Sequence, residues 1–308
     1  MSIVAVGTVA FDAIETPFAQ TDRILGGSAT YLTLAARFLT KDVGLVAVVG
    51  GDFPEAYIIE LQERGIGTEG LVIEPDGKTF FWAGRYHYDL NNRDTLDTQL
   101  NVLATFDPVV PEVYQSRRIV CLGNLDPTVQ QKVMDQVPGA DLVIADTMNF
   151  WIENTPDTLA ETLRRVDVLV INDAEVRQLA GESNLIKAAR KVQGLGPETL
   201  VVKKGEHGAL LFAGDEVFAA PAYPLEDVYD PTGAGDAFLG GFAGYLAGQP
   251  TIDTTVMKQA IVMGSVVASF CVEALGPERL MVLTRDEVDA RVADFHRLCA
   301  IPEGILVG

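Results

Sequence analysis

Short apolar runs rich in β-branched residues alternate with longer stretches of helical period along most of the chain. The runs Ile3–Val6, 44–49, 118–122, Leu142–Ala145, 168–171 and 200–202 predict strands. Between them, Ser28–Leu39, 54–64, 128–137, 157–166 and Asp173–Ala180 predict helices. Strands that are apolar throughout are buried on both faces, and helices between successive strands supply the cover. The pattern therefore predicts an α/β fold with a doubly wound, mostly parallel sheet. The last third turns helical, with 235–247, 255–274 and Arg285–Leu298.

Two stretches break this rhythm. Residues 13–24 and 71–101 have no helical period and carry alternating, aromatic-rich patterns such as Phe80-Phe81-Trp82-Ala83-Gly84-Arg85-Tyr86-His87-Tyr88. They read as antiparallel strands able to pair into a small accessory sheet, either a lid or an extension of the main sheet.

Composition narrows the partners. The 308 residues carry a net charge of -20, which excludes the basic footprint of a nucleic-acid binder and disfavours docking on an anionic membrane. Cys121, Cys271 and Cys299 are far apart and form no CxxC pair, as expected of reduced thiols in a cytoplasmic protein. No signal-like segment is visible at Met1, and the longest apolar stretch, 260–272, is interrupted by Gly264, Ser265 and Ser269 and reads as a buried helix.

The segment Asp230-Pro231-Thr232-Gly233-Ala234-Gly235-Asp236-Ala237-Phe238 is the strongest chemical signal. Small residues where a loop becomes a helix let backbone amides approach a ligand, and the helix dipole favours an anion there. A carboxylate beside such a hole, Asp236, fits a general base or a metal contact; a glycine-rich turn with a helix-start Asp is the plainer reading. Gly26-Gly27 before a helix is a close-approach site or an ordinary turn. Asn172 and Glu175 have capping-box spacing, and could equally orient a hydrated Mg²⁺. Lys204, Gly205 and Gly208 close a strand in a Gly-x-x-Gly turn, which is either a phosphate contact or a hairpin. Gly65 to Gly70 matches GxGxxG but follows a helix and enters a strand, the reverse of a dinucleotide site. No P-loop occurs, and the isolated His87, His207 and His296 make neither a triad nor a His metal site.

In this order and spacing the motifs resemble the PfkB (ribokinase-like) carbohydrate kinase family over essentially the whole chain. The resemblance implies a ribokinase-like fold with a β lid: residues 1–12, 26–70 and 102–308 in the large domain, 13–25 and 71–101 in the lid. It implies ATP-dependent phosphorylation of a hydroxyl on a small sugar, or alternatively a nucleoside. A catalytically silent sensor on the same fold is a more distant reading. Asp236 would be the general base and Gly233, Ala234 and Gly235 the anion hole. Asp12, Gly26, Gly27 and Tyr31 would line the acceptor pocket. Lys204, Gly205 and Gly208 would hold the nucleotide, Asn172 and Glu175 would position Mg²⁺ through water, and Asp230 and Thr232 would take K⁺. A homodimer through the lid is a further expectation. Two positions depart from the family pattern: Tyr31 stands where many sugar-specific members have Asn, and Pro231 where Thr is frequent.

Overall fold

The computed structural model describes residues 1–300; residues 301–308, assigned above to the large domain, lie outside them. The strands in chain order are β1 Ile3–Val6, β2 Ala10–Glu15, β3 Ile24–Gly26, β4 Val43–Gly50, β5 Ile66–Glu74, β6 Phe81–Tyr86, β7 Arg93–Gln99, β8 Ile119–Leu122, β9 Leu142–Ala145, β10 Val168–Asn172, β11 Thr199–Lys203, β12 Ala209–Ala213 and β13 Glu216–Ala220. Nine of them form one sheet in the order β13-β12-β11-β10-β9-β8-β1-β4-β5. From β5 to β11 the neighbours run parallel; β12 and β13 add an antiparallel edge.

Side-chain alternation along these strands feeds two separate cores. Val4 and Val6 of β1 face one, Ile3 and Ala5 the other. This is the two-sided burial that the all-apolar strand runs implied. Strand order reverses around β1, which lies between β4 and β8 although β4 precedes β8 in the chain. In an open α/β sheet such a switch point leaves a crevice beyond the carboxyl ends of the strands; Asn172 and Lys203 stand at the same carboxyl edge, on β10 and β11.

The small sheet has the order β3-β2-β6-β7. It is mixed rather than purely antiparallel: β2 pairs β6 in parallel, while β3 and β7 run antiparallel to their neighbours. The chain leaves β2, adds β3, builds two helices and two strands of the large sheet, and returns, so a parallel pairing is reached through a long crossover. Its boundaries also differ from the expectation. Ala10 to Asp12 and Gly26 belong to the small sheet, and residues 71–74 complete β5 of the large one.

Helix Ala234–Ala247 lies between the helices Ser28–Leu39 and Thr254–Cys271. Gly240 and Gly244 sit directly on the backbone of Ser28–Leu39, where a β-carbon would have no room. Thr254–Cys271 is long and apolar enough to cross a membrane, but most of it is buried in this core. β12, antiparallel to β11, is the hairpin that one reading of the Lys204–Gly208 turn allowed, whereas the helices Asn149–Asn154 and Leu185–Gln193 and the edge strand β13 were not anticipated. The short buried side of Leu185–Gln193 rests on Ala188, Ala189 and Val192, too small a stripe to stand out in sequence.

Candidate active site

The site starts where the loop 230–233 turns into helix Ala234–Ala247. Gly233 is the N-cap, with φ 75°, a left-handed conformation that a side chain would strain; a β-carbon there would also strike the Tyr31 ring. The turn draws the Ala234 N–H onto the Pro231 carbonyl at 3.2 Å. The anion hole expected from three amides is thereby reduced: Gly233 and Gly235 keep free N–H groups among the described residues, and Ala234 does not. Asp230 clamps the loop. Its carboxylate accepts from the Thr232 N–H at 2.8 Å and from the Gly276 N–H at 2.9 Å.

Asp236 occupies the third position of this helix, next to the free Gly235 amide. Burial pushes its carboxyl up to about 7; Asp146 adds to the shift, while Lys203 and Arg93 hold it back. Asp146, Glu175 and Asp236 all lie near the Lys203 ammonium and favour its charged form. Lys203 ends β11, and its Nζ binds Asp146 Oδ2 at 3.0 Å, with both side chains largely buried. A β-carbon on Gly235 would fall 2.9 Å from that Nζ, so the ammonium lies over the hole. Glu175 is pushed up to about 7 as well, by burial first and then by Asp146. Asp146 follows β9, Asn172 ends β10 and Lys203 ends β11, so three neighbouring strands deliver these groups at their carboxyl ends.

Asn172 and Glu175 make the capping box in full. Asn172 Oδ1 accepts from the Glu175 N–H at 2.8 Å, and Glu175 Oε2 accepts from the Asn172 N–H at 3.1 Å. One Glu175 oxygen remains for the cleft. Among the described residues no three Asp, Glu, His or Cys side chains converge as a ready-made metal cage. The crowding of Asp146, Glu175 and Asp236 is nonetheless the field a hydrated divalent cation would relieve.

The small sheet covers this floor. Asp12 is 4% exposed, and its carboxyl lies on Gly26, where no β-carbon would fit. Burial pushes it up to about 7, Asp230 and Asp236 adding to the shift against the Gly27 amide. Asp12 stands in register with Trp82 of β6, and Tyr86 of β6 with Arg93 of β7. Period-two alternation puts Trp82, Gly84 and Tyr86 on one face. That face looks down on the site, because the Thr232 hydroxyl donates to Tyr86 OH at 3.1 Å.

At the start of this helix a cleft of about 540 Å³ is lined by Lys203, Gly205, Gly208, Ala234 and Gly235 on its polar side. Its other side is apolar, with Pro224, Leu225, Val228, Phe238, Ala268 and Val272.

Several expected residues take other places. Lys204 is not part of this lining; its backbone N–H closes the turn onto the Gly208 carbonyl at 2.8 Å, and the neighbouring Lys203 holds the position expected of it. Successive side chains at a strand end point to opposite faces, so one of two adjacent lysines had to be outside. Tyr31, expected to line the acceptor pocket, is 1% exposed with its ring against Gly233, and its hydroxyl is buried without a partner among the described residues. Asp146, Lys203, Arg93 and the apolar wall went unnoticed in the sequence. The one available signal was Lys203, whose place at the end of a strand run parallels that of Asn172.

The chain matches the model of the pfkB family carbohydrate kinase over residues 2–282. It is 30% identical over 256 residues to the cytidine kinase of Thermococcus kodakarensis, covering 81% of this chain and 90% of that protein. The structure of Burkholderia thailandensis nucleoside kinase in complex with inosine superposes with a TM-score of 0.76 at 21% identity, covering 97% of each chain. Thermotoga maritima ribokinase gives a TM-score of 0.76 at 21% identity, covering 95% of this chain and 99% of that one.

Proposed function

The chain belongs to the pfkB family of carbohydrate kinases, and on that premise we propose that it transfers the γ-phosphate of ATP to a hydroxyl of a nucleoside. The observation that carries the choice of acceptor is the pairing of Asp12 with Trp82 on the inner face of the small sheet. A buried carboxylate suits the two neighbouring hydroxyls of a ribose, and an indole in register beside it suits the flat face of a base. The resemblance put a small sugar first and a nucleoside as the alternative. The placement of Trp82 beside Asp12, together with the likeness to the Thermococcus kodakarensis cytidine kinase, moves the reading to a nucleoside.

ATP would lay its base against the apolar side of the cleft and its phosphates toward Gly205, Gly208 and Lys203. The free amides of Gly233 and Gly235 face the phosphoryl group in flight. Asp236 takes the proton of the acceptor hydroxyl as its oxygen bonds to the γ-phosphorus and the bond to ADP breaks. With a pKa of about 7 it is poised to accept that proton near neutrality. Glu175 and Asn172 would hold Mg²⁺ through water, and the ion would supply charge neutralisation on the phosphates. K⁺ beside Asp230 and Thr232 adds least to this scheme, because Asp230 already accepts from two backbone amides that order the loop. A homodimer through the small sheet would use β7, which is exposed along its whole length.

ADP release measured across cytidine, adenosine, inosine, ribose, fructose and sugar acids tests the acceptor. The expected result is a kcat/KM for at least one nucleoside above that for every free sugar. Faster turnover of ribose or of a sugar acid would overturn the nucleoside reading and leave the kinase assignment in place.

A further inference from the structure

We propose that Arg93, carried on the small sheet, is a catalytic residue that places its guanidinium on the transferring phosphoryl group. The inference rests on the phosphotransfer reading above and adds a residue to it.

Arg93 opens β7 directly opposite Tyr86 of β6. Cross-strand partners share a face of their sheet, and Tyr86 fixes which face this is, since its OH accepts from the Thr232 hydroxyl in the loop before the anion hole. Arg93 thus stands on the side that looks onto Gly233, Gly235 and Asp236. The turn between β6 and β7 points the same way: Asp89, Leu90 and Asn91 line the cleft together with Lys203 and Gly235. Asn91 also reaches the Gly205 turn, donating to Glu206 Oε1 at 3.4 Å.

Arg93 has no ion-pair partner among the described residues, although acidic side chains outnumber basic ones 43 to 23. Its guanidinium rests 5.8 Å from the Trp82 ring centroid. It lies near enough to Asp236 and Glu175 to favour the charged form of each. An exposed, unpaired arginine facing a carboxylate-rich phosphate site fits a cation kept for an anion that arrives with the substrate. The transferring group spreads its charge over three equatorial oxygens while the acceptor oxygen and the ADP oxygen lie in line. Lys203, ion-paired to Asp146, serves the phosphates from the floor, and Arg93, with no ion-pair partner among the described residues, adds a second cation from the opposite side. Because it arrives on the sheet that also carries Asp12, charge stabilisation would be complete only when that sheet covers the acceptor. Water alone would meet a weaker catalyst.

The test compares Arg93→Ala and Arg93→Lys with the unmodified chain. With Mg-ATP and a nucleoside, Arg93→Ala is expected to lower kcat by roughly 10³-fold, the lower end of what an arginine supplied to a phosphoryl transition state contributes. Lysine should recover part of it. In binding titrations the variant should hold ADP as the unmodified chain does, but should lose the extra affinity that aluminium fluoride confers on the ADP and acceptor complex. Unchanged kcat would overturn the proposal. So would equal losses for ADP with and without aluminium fluoride, since those would make Arg93 a ground-state nucleotide contact. The titrations need no turnover: a chain that phosphorylates no acceptor would refute the kinase reading, while the aluminium fluoride difference would still judge Arg93.

Discussion

The floor of the cleft and the sheet above it are built in opposite ways. On the floor, Asp146, Asn172 and Lys203 stand at the ends of adjacent parallel strands, and Asp236 and Glu175 sit in the first turns of helices. Nearly every polar group there is tied: Lys203 to Asp146, Asn172 to Glu175, Asp230 to two amides. The covering sheet has a different economy. Its strand β7 is exposed throughout, Arg93 has no ion partner among the described residues, and Tyr86 touches the floor through one hydroxyl. Rigid strand ends suit groups whose mutual geometry sets a pKa and a line of attack. An exposed outer strand suits groups that must admit a substrate and then enclose it, while β2 and β3 stay anchored in the core through Phe11 and Leu25. The comparison assigns chemistry to the floor and selection with final charge neutralisation to the sheet.

That division breaks most visibly at Asp236. Asp236→Asn keeps the size of the side chain and the backbone amides of the anion hole, but it cannot accept the acceptor's proton. We expect kcat to fall by about 10²–10⁴-fold with nucleotide Kd little changed. A folded variant with unchanged kcat would make Asp236 a helix-start residue only.

Lys203→Met tests the floor's second charge and should cost about 10²-fold in kcat. It also strips Asp146 of its partner and removes a group that restrains the Asp236 carboxyl. The acid limb of the rate profile should therefore move to higher pH, a readout that mere loss of nucleotide affinity would not shift.

On the covering sheet, Asp12→Asn should act on the acceptor, raising its KM by about tenfold or more through loss of charge-assisted hydrogen bonds, with less effect on kcat. A second consequence concerns stability. Asp12 has a folded pKa of about 7, raised from 3.8, so the folded state favours its protonated form. The native state therefore loses stability as pH rises from the ordinary carboxylate range through about 7. Asparagine has no such liability, so the variant should melt above the unmodified chain at pH 8, and the gap should close toward pH 4. A variant that melts lower at pH 8 would contradict this sign.

The smallest effect belongs to Tyr86→Phe, which removes one neutral hydrogen bond between sheet and floor. A loss of about fivefold in kcat/KM is expected, in keeping with roughly 1 kcal/mol. Loss approaching that of Asp236→Asn would make the Tyr86 hydroxyl part of the chemistry and erase the comparison.

How much of this was legible in the sequence follows the same division. The all-apolar runs reported the two-sided burial of β1, β4 and β8 to β11, because burial on both faces leaves no room for polar alternation. The segment 230–238 carried its geometry in local chain chemistry: glycine at a left-handed position and a carboxylate in the first helical turn, the features on which the proposed anion hole and base rest. Asp146 carried no such mark, being a single Asp after a four-residue strand whose role depends on Lys203, 57 positions away. The choice between Lys203 and Lys204 depended on strand facing, which the two adjacent letters do not distinguish. Tyr31 was expected to line the acceptor pocket, but exposure is not written in residue type, and its ring is buried against Gly233. Arg93 acquires meaning only through its register with Tyr86, a property of the folded sheet.

The account turns most on Asp236 as the base, and the pH dependence of kcat/KM for unmodified chain and Asp236→Asn, measured side by side with Mg-ATP and a nucleoside, tests it most directly. Asp12 and Glu175 also sit at about 7, so the two profiles must be compared rather than one read alone. The account predicts that activity of the unmodified chain rises with pH through about 7, and that the residual activity of Asp236→Asn lacks this limb. An identical limb in both would mean that another group takes the proton, and would contradict the claim.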